Sequence, residues 1–199
     1  MIAVIDYGAG NLFSVINALN YIGLDNITTR DKAELQRADA IILPGVGAFP
    51  RAMEMLGRAG LIECIKQESL KKPLLGICLG MQLLFDYSEE FGFTEGLGLI
   101  GGNVRLLECG ALKIPHIGWN ELIKTQDDSL LKGLDKGSSV YFVHSYMAYT
   151  NEANTLAVTD YGGPVTALVK SGYTYGAQFH PEKSGEVGLQ ILRNFGGLV

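Results

Sequence analysis

The stretch Leu74-Leu75-Gly76-Ile77-Cys78-Leu79-Gly80-Met81-Gln82 decides the fold, because it passes from an apolar strand through a tight turn into a helix. We predict a strand over Pro73–Ile77 and a helix over Leu79–Ser88. Glycines on both sides of Cys78 remove the β-carbons that would obstruct so tight a turn. The cysteine begins the helix, where the helix dipole stabilises negative charge. The stretch therefore predicts a nucleophile elbow that presents Cys78, with burial as an ordinary structural cysteine as the alternative.

Strands and helices alternate on both sides of this elbow in the first half of the chain. The predicted strands are Ile2–Ile5, Ile27–Thr29 and Ala40–Leu43, and the predicted helices are Asn11–Ile22 (capped by Asn11), Lys32–Arg37 and Ala48–Ser69, the last broken near Gly57–Gly60. Such alternation predicts a parallel sheet with helices on both faces. The strands are apolar along most of their length, as burial on both faces requires.

The second half of the chain has a different pattern of short β-type runs. These runs are Val104–Leu107, Trp119–Ile123, Val140–Val143, Thr155–Val158, Thr166–Val169 and Tyr173–Gln178, followed by a closing helix over Gly185–Phe195. No low-complexity linker separates the two halves. We therefore predict a single α/β domain over residues 1–199, in which a central, mostly parallel sheet is flanked by helices and carries an antiparallel extension in the second half.

Composition excludes several classes of protein. The chain has 199 residues, with 16 basic against 21 acidic side chains, so it has no positive surplus for nucleic acid. The longest apolar stretch of helical appearance, Pro73–Phe85, is shorter than the roughly 20 residues that a membrane span needs. No signal peptide is expected, and three cysteines without a CxxC pair indicate a reducing cytoplasm and no metal site. Cys64 and Cys109 are expected to be buried structural residues.

A cysteine nucleophile needs a base, and the string His180-Pro181-Glu182 supplies the best candidate. The fixed φ of proline holds the histidine and the glutamate in a rigid relation. The carboxylate can then accept a hydrogen bond from the imidazole ring and orient it, as the third member of a catalytic triad does. The other two histidines, His116 and His144, are the remaining candidates for the base. We predict a Cys78–His180–Glu182 triad.

These strings together resemble the class I glutamine amidotransferase family. The matching residues are Gly76–Gln82 and Gln178–Glu182, together with Asp6–Asn11, Leu43–Phe49, Ile114–Asn120 and Tyr141–Tyr146, so the resemblance covers the whole chain. It implies a flavodoxin-like domain in which the triad hydrolyses L-glutamine to glutamate and ammonia through a thioester, without a cofactor. The last four strings are similar to the branch of histidine biosynthesis, in which the ammonia passes to a cyclase subunit.

The resemblance also implies roles for further residues. The backbone N–H groups of Val46, Gly47 and Leu79 form the oxyanion hole, with the Val46 N–H available after rotation of its peptide. Flanking glycines make such a rotation cheap. The expected glutamine-binding residues are Gly45, Gln82, Ser145 and Tyr146.

A partner subunit is expected, because a chain of 199 residues has room for an ammonia source but not for an ammonia user. The resemblance implies a heterodimer with the cyclase subunit. The residues it places at the contact or along the ammonia path are His116, Trp119, Asn120, Tyr141 and Lys183. Two alternatives stay open: the glutaminase of another amidotransferase, such as pyridoxal phosphate synthase, and a catalytically silent binding subunit.

Overall fold

The computed structural model describes residues 1–199, which form six α-helices, fourteen strands and three short 3-10 helices. The α-helices are α1 (Leu12–Tyr21), α2 (Lys32–Arg37), α3 (Phe49–Arg58), α4 (Ile62–Ser69), α5 (Leu79–Gln82) and α6 (Gly185–Gly196). The strands are β1 (Ile2–Ile5), β2 (Asn26–Thr29), β3 (Ala40–Gly45), β4 (Leu74–Cys78), β5 (Tyr87–Ser88), β6 (Thr94–Glu95), β7 (Asn103–Leu106), β8 (His116–Glu121), β9 (Ile123–Lys124), β10 (Ser139–His144), β11 (Tyr146–Tyr149), β12 (Thr155–Asp160), β13 (Pro164–Ser171) and β14 (Thr174–Ala177). The 3-10 helices are Ser129–Leu131, Glu152–Asn154 and Pro181–Lys183.

The central sheet has eight strands in the order β2-β1-β3-β4-β14-β13-β12-β9. Strands β2, β1, β3, β4 and β14 pair in parallel, whereas β13, β12 and β9 continue the sheet with antiparallel pairing. Two smaller sheets, β10-β8 and β11-β7-β5-β6, stand beside it. The predicted α/β architecture, with its parallel centre and antiparallel extension, is confirmed.

Two apolar layers cover the two faces of the central sheet. Along β3, Ile42 belongs to one layer, whereas Ile41 and Leu43 belong to the other. Helices α1 and α6 contribute to the first layer, which contains Leu19 and Phe195, and α2, α3 and α4 contribute to the second. This two-sided burial explains the almost continuous apolar strands of the first half. None of the helices is both long enough and apolar enough to span a bilayer.

Two local predictions are wrong. The helix predicted over Leu79–Ser88 ends at Gln82, and Tyr87–Ser88 form strand β5 instead. The backbone carbonyls that would have continued the helix accept hydrogen bonds from the loop at residues 96–100, so tertiary contacts replace the helical ones. Asn11 precedes helix α1, but its side chain makes no capping hydrogen bond.

The parallel strands bring the chemically interesting segments to one edge. Gly45, at the end of β3, pairs with Cys78, at the end of β4. Strand β14 pairs with β4 on its other side and leads directly into Gln178 and His180. The carboxyl ends of three neighbouring strands therefore meet, which is where open α/β sheets bind their ligands.

Candidate active site

Cys78 lies on a strained turn between β4 and α5. Its backbone has φ 56° and ψ −111°, a conformation that few residues other than glycine adopt. Gly80 makes the turn possible, because a β-carbon there would overlap the carbonyl oxygen of Leu43 on β3. Cys78 is 8% exposed and lines a pocket. The turn thus presents a thiol at the sheet edge, as the sequence predicts.

His180 and Glu182 form a buried pair just after β14. His180 Nδ1 lies 2.7 Å from Glu182 Oε1, and the two side chains are 3% and 1% exposed. The backbone N–H of His180 donates to the Tyr141 carbonyl, and the Ser184 hydroxyl donates to the His180 backbone carbonyl. Strand β10 and the residue before α6 therefore fix the segment. Burial disfavours the protonated ring, but hydrogen bonds and charge from Cys78 and Glu182 raise the pKa of His180 to about 9.

Gln178 links the cysteine to a second glutamine. Its Nε2 lies 4.0 Å from Cys78 Sγ, and its Oε1 accepts a hydrogen bond of 3.0 Å from Gln82 Nε2. Gln82 Nε2 also donates to the Tyr146 carbonyl at 2.8 Å. Both amide hydrogens of Gln82 are therefore used within the protein, and its oxygen is the atom left for a ligand. Gln178 stands close before the His-Pro-Glu string in the sequence, but no motif there predicts this contact.

The pocket in front of Cys78 has a volume of about 380 Å³. The structure brings nine of the predicted site residues to its wall: Val46, Gly47, Cys78, Leu79, Gln82, Ser145, Tyr146, His180 and Lys183. Glu182 lies behind His180. Gly45 is buried and does not line the pocket, and a β-carbon at this position would meet Gly80, Leu79 and Tyr7. The pocket is of the size expected for a small-molecule site.

The loop between β3 and α3 forms one side of the pocket. Val46 is 44% exposed, and Gly47 has φ +97°, a conformation that suits glycine. Leu79 is the first residue of α5, so its N–H is at the positive end of that short helix. The two predicted oxyanion segments therefore face one pocket from β3 and from β4.

Glu90 is a pocket residue that the sequence analysis misses. Its Oε2 accepts a hydrogen bond of 2.7 Å from the Phe49 N–H at the start of α3. Burial raises the pKa of Glu90, while the hydrogen bond from Phe49 lowers it. The residue lies in an irregular turn beyond β5 with no recognisable spacing to the elbow, so only the tertiary structure reveals it.

The predicted partner residues divide into two groups. Trp119 is 57% exposed on β8, with the Tyr141 ring 6.1 Å away on β10, and Lys183 is exposed at the pocket. Asn120 is half-buried, whereas His116 is fully buried and does not reach the surface. Ile117 is 58% exposed on the same face of β8 as Trp119, so this face presents an apolar surface.

Comparison with known proteins gives matches over almost the whole chain. The model of the family "Glutamine amidotransferase class-I" matches residues 3–197. The chain is 55% identical over 201 residues to the imidazole glycerol phosphate synthase subunit HisH of Bacillus cereus strain G9842, covering 100% of this chain and 95% of that one. The HisH subunit of Bacillus thuringiensis strain Al Hakam is 52% identical over 200 residues, with the same coverage. A crystal structure of a glutamine amidotransferase superimposes with a TM-score of 0.76 at 20% identity, covering 98% of this chain and 100% of that one, which shows the shared fold.

Proposed function

The chain belongs to the class I glutamine amidotransferase family, and we propose that it is the glutaminase subunit of an imidazole glycerol phosphate synthase, which hydrolyses L-glutamine and passes ammonia to a cyclase subunit, HisF, in a heterodimer. One observation carries the hydrolytic step: Cys78 and His180 line a single pocket, and the buried Glu182 carboxylate is hydrogen-bonded to His180. Full-length identity of 55% to a HisH subunit supports the choice of synthase.

Cys78 and His180 divide the chemistry between them. His180 takes the thiol proton of Cys78, the Cys78 sulfur attacks the carboxamide carbon of glutamine, and the carbonyl π electrons move to the oxygen, which the N–H groups of Leu79 and Val46 stabilise. Protonated His180 gives its proton to the nitrogen, the C–N bond breaks and ammonia leaves a thioester. His180 then takes a proton from water, the hydroxide attacks the thioester, and glutamate leaves as the Cys78 sulfur is released.

The pocket offers complementary groups for the two charged ends of glutamine. Glu90 is a buried carboxylate in the wall, and it suits the α-ammonium group. The side-chain oxygen of Gln82 is a second acceptor for that group, since both of its amide hydrogens are already bonded. Backbone groups of Gly47, Ser145 and Tyr146 remain for the α-carboxylate.

The ammonia has to be protected from water, in which it is protonated and loses its nucleophilicity. The apolar face of Ile117, Trp119 and Tyr141 provides a docking surface for the cyclase subunit near the pocket. Aromatic residues with both an apolar ring and a polar tip are typical anchors of such interfaces. Lys183 follows Glu182 in the sequence and is exposed in the pocket wall. We place the reaction in the cytoplasm, where Cys78 stays a reduced thiol.

The test uses the chain with the HisF cyclase subunit and its nucleotide substrate. Cys78→Ala should abolish synthesis that depends on glutamine, while added ammonium salts still support turnover by the complex. Cys109→Ala, which removes a buried cysteine outside the pocket, is the matched control and should keep glutamine-dependent synthesis. Undiminished glutamine hydrolysis by Cys78→Ala would reject Cys78 as the nucleophile. Failure of the chain to bind HisF would reject the choice of synthase.

A further inference from the structure

A pair of histidines lies outside the proposed triad, between the pocket and the surface of β8. His116 of β8 and His144 of β10 are directly opposite each other, and His116 Nδ1 lies 3.0 Å from His144 Nε2. His116 is fully buried, and its ring stacks on Phe142 and on Tyr161. His144 is 6% exposed and contributes to the pocket wall. These contacts hold both rings in place.

The pair is the middle of a hydrogen-bonded chain from the pocket to the surface. At the pocket end, His144 Nδ1 lies 2.9 Å from the Tyr146 carbonyl oxygen, the same oxygen that accepts from Gln82. At the surface end, His116 Nε2 lies 2.8 Å from Asn120 Oδ1. Asn120 Nδ2 in turn donates to a backbone carbonyl at 3.0 Å. Each end of the pair therefore faces an oxygen that can only accept.

The two rings carry too few hydrogens for this arrangement. Three contacts need one hydrogen each: His144 with Tyr146, His144 with His116, and His116 with Asn120. A neutral imidazole has one N–H and one bare nitrogen, so two neutral rings supply two hydrogens. If the oxygen and nitrogen of the Asn120 amide are exchanged, Asn120 donates to His116, but its oxygen then faces the Asp160 carbonyl oxygen without a hydrogen between them. The two rings still carry two hydrogens.

Both rings are neutral at neutral pH. Burial lowers the pKa of His144 to about 4; the hydrogen bond to Tyr146 raises it, and the charges of His116 and His180 lower it. Burial also lowers the pKa of His116, against the opposing effect of its hydrogen bond to Asn120. A third proton is therefore disfavoured, and one of the three contacts must be left without a hydrogen.

We propose that His116 and His144 form a two-state positioning pair, whose protons anchor either the Tyr146 carbonyl in the pocket or Asn120 at the surface. In the pocket state, both rings carry hydrogen on Nδ1, and His144 donates to Tyr146. In the surface state, both carry it on Nε2, and His116 donates to Asn120. The mixed arrangement, with two bare nitrogens facing each other at 3.0 Å, is repulsive.

Through the pair, a contact made at Asn120 on β8 can affect the substrate-binding residues, and this role rests on the proposed function. A partner group that donates to Asn120 replaces the hydrogen from His116 and so favours the pocket state. Glutamine favours the same state, because Gln82 is held by the anchored Tyr146 carbonyl. Two ligands that prefer one state strengthen each other's binding, as linkage requires.

Ring tautomers can be read by nitrogen-15 NMR of the full chain with labelled histidine at neutral pH. We expect the fraction of the Nδ1–H tautomer to be the same in His116 as in His144. Asn120→Ala should move both rings to the Nδ1–H form, because it removes the surface acceptor. Asn103→Ala, on β7, removes an amide that donates to Tyr87 Oη at 2.9 Å, and it is the matched control. Unequal tautomers, or populations that Asn120→Ala leaves unchanged, would overturn the proposal.

Asn120→Asp tests the opposite direction, and it keeps the test available if Asn120→Ala does not fold. A carboxylate beside His116 Nε2 favours a third proton, so the pair should hold it up to a higher pH than in the natural chain. The titratable groups that face the pair are His180, near His144, and Tyr161, stacked on His116. An unchanged titration in Asn120→Asp contradicts the proposal.

Glutamine affinity gives the functional readout, measured by calorimetry in a Cys78→Ala background that binds without turnover. If f is the fraction of chains in the pocket state by NMR, adding Asn120→Ala should lower the Kd for glutamine to f times its former value. If the pocket and surface states are equally populated, the Kd for glutamine should fall about twofold. A Kd that rises, or that does not follow f, refutes the positioning role. Absence of glutamine binding would count against the proposed function, whereas the tautomer populations test the pair separately.

Discussion

Replacing Glu182 with glutamine removes the negative charge that faces His180 while keeping an oxygen that can accept the same hydrogen bond. The Nδ1···Oε1 distance is 2.7 Å, and both side chains are at most 3% exposed, so water screens the charge little. The other carboxylate oxygen of Glu182 is buried and makes no hydrogen bond. An amide nitrogen in its place therefore breaks no existing contact, and the substitution isolates the charge.

The size of the effect follows from the pKa of His180, which stands at about 9 against an ordinary value of about 6.5. Burial alone would lower this pKa, so the rise is due to Cys78 and Glu182. One opposite charge in contact shifts a pKa by about 1–3 units, or about 1.4 kcal/mol per unit. We expect Glu182→Gln to lower the pKa of His180 by about 1–2 units. Because the protonated ring gives the proton to the departing nitrogen, activity is lost as the pH rises through this pKa.

The assay is kcat/KM for glutamine against pH, measured on the complex with the cyclase subunit. The basic limb of the natural chain should lie near pH 9, and that of Glu182→Gln about 1–2 units lower, with a rate loss of about 100-fold or more at the optimum. Glu186→Gln is the control, because Glu186 is 71% exposed on α6 and pairs with Arg193. A basic limb that stays in place in Glu182→Gln would refute the assignment of Glu182 as the partner of His180.

Three further substitutions test packing and binding. Gly80→Ala should lower the free energy of unfolding by about 1–3 kcal/mol, since the added β-carbon overlaps a carbonyl oxygen of β3. Gly101→Ala, where a β-carbon meets nothing within 4 Å, should keep the melting temperature, and equal losses of stability in the two variants would contradict the tight elbow. Lys72→Met should lower the free energy of unfolding, measured with denaturant, by about 1–3 kcal/mol, because Lys72 Nζ donates to three carbonyls at the end of α2. Lys71 is 63% exposed, so Lys71→Met should lower it by under about 1 kcal/mol, and a larger loss in Lys71→Met than in Lys72→Met would refute the role of Lys72. Glu90→Gln should raise the KM for glutamine about tenfold or more, and an unchanged KM would exclude Glu90 from substrate binding.

Much of the fold is predictable from local sequence patterns. The apolar strands and the glycines around Cys78 restrict the first half to a parallel sheet with an elbow, and the structure agrees. The sequence predicts helix α5 too long, because residues beyond Gln82 are as apolar as a helix requires. Their carbonyls are taken by the loop at residues 96–100, which no local pattern announces.

The site was less predictable wherever its residues come from distant strands. Cys78, His180 and Glu182 are found from their own short motifs, but Glu90 has no motif and reaches the pocket only through the contact of its turn with α3. His116 and His144 are 28 residues apart, and only the antiparallel register of β8 and β10 puts them opposite each other. Register of this kind depends on the whole sheet, so sequence spacing does not reveal it.

The central claim is that Cys78 becomes acylated by glutamine. Intact and peptide mass spectrometry of the complex with its cyclase subunit, quenched in acid during turnover, tests this directly. We expect a γ-glutamyl thioester on the peptide that contains Cys78, and none on the peptides that contain Cys64 or Cys109. Turnover of glutamine with the adduct on another cysteine, or with no covalent adduct even when Glu182→Gln slows its hydrolysis, would contradict the proposed mechanism.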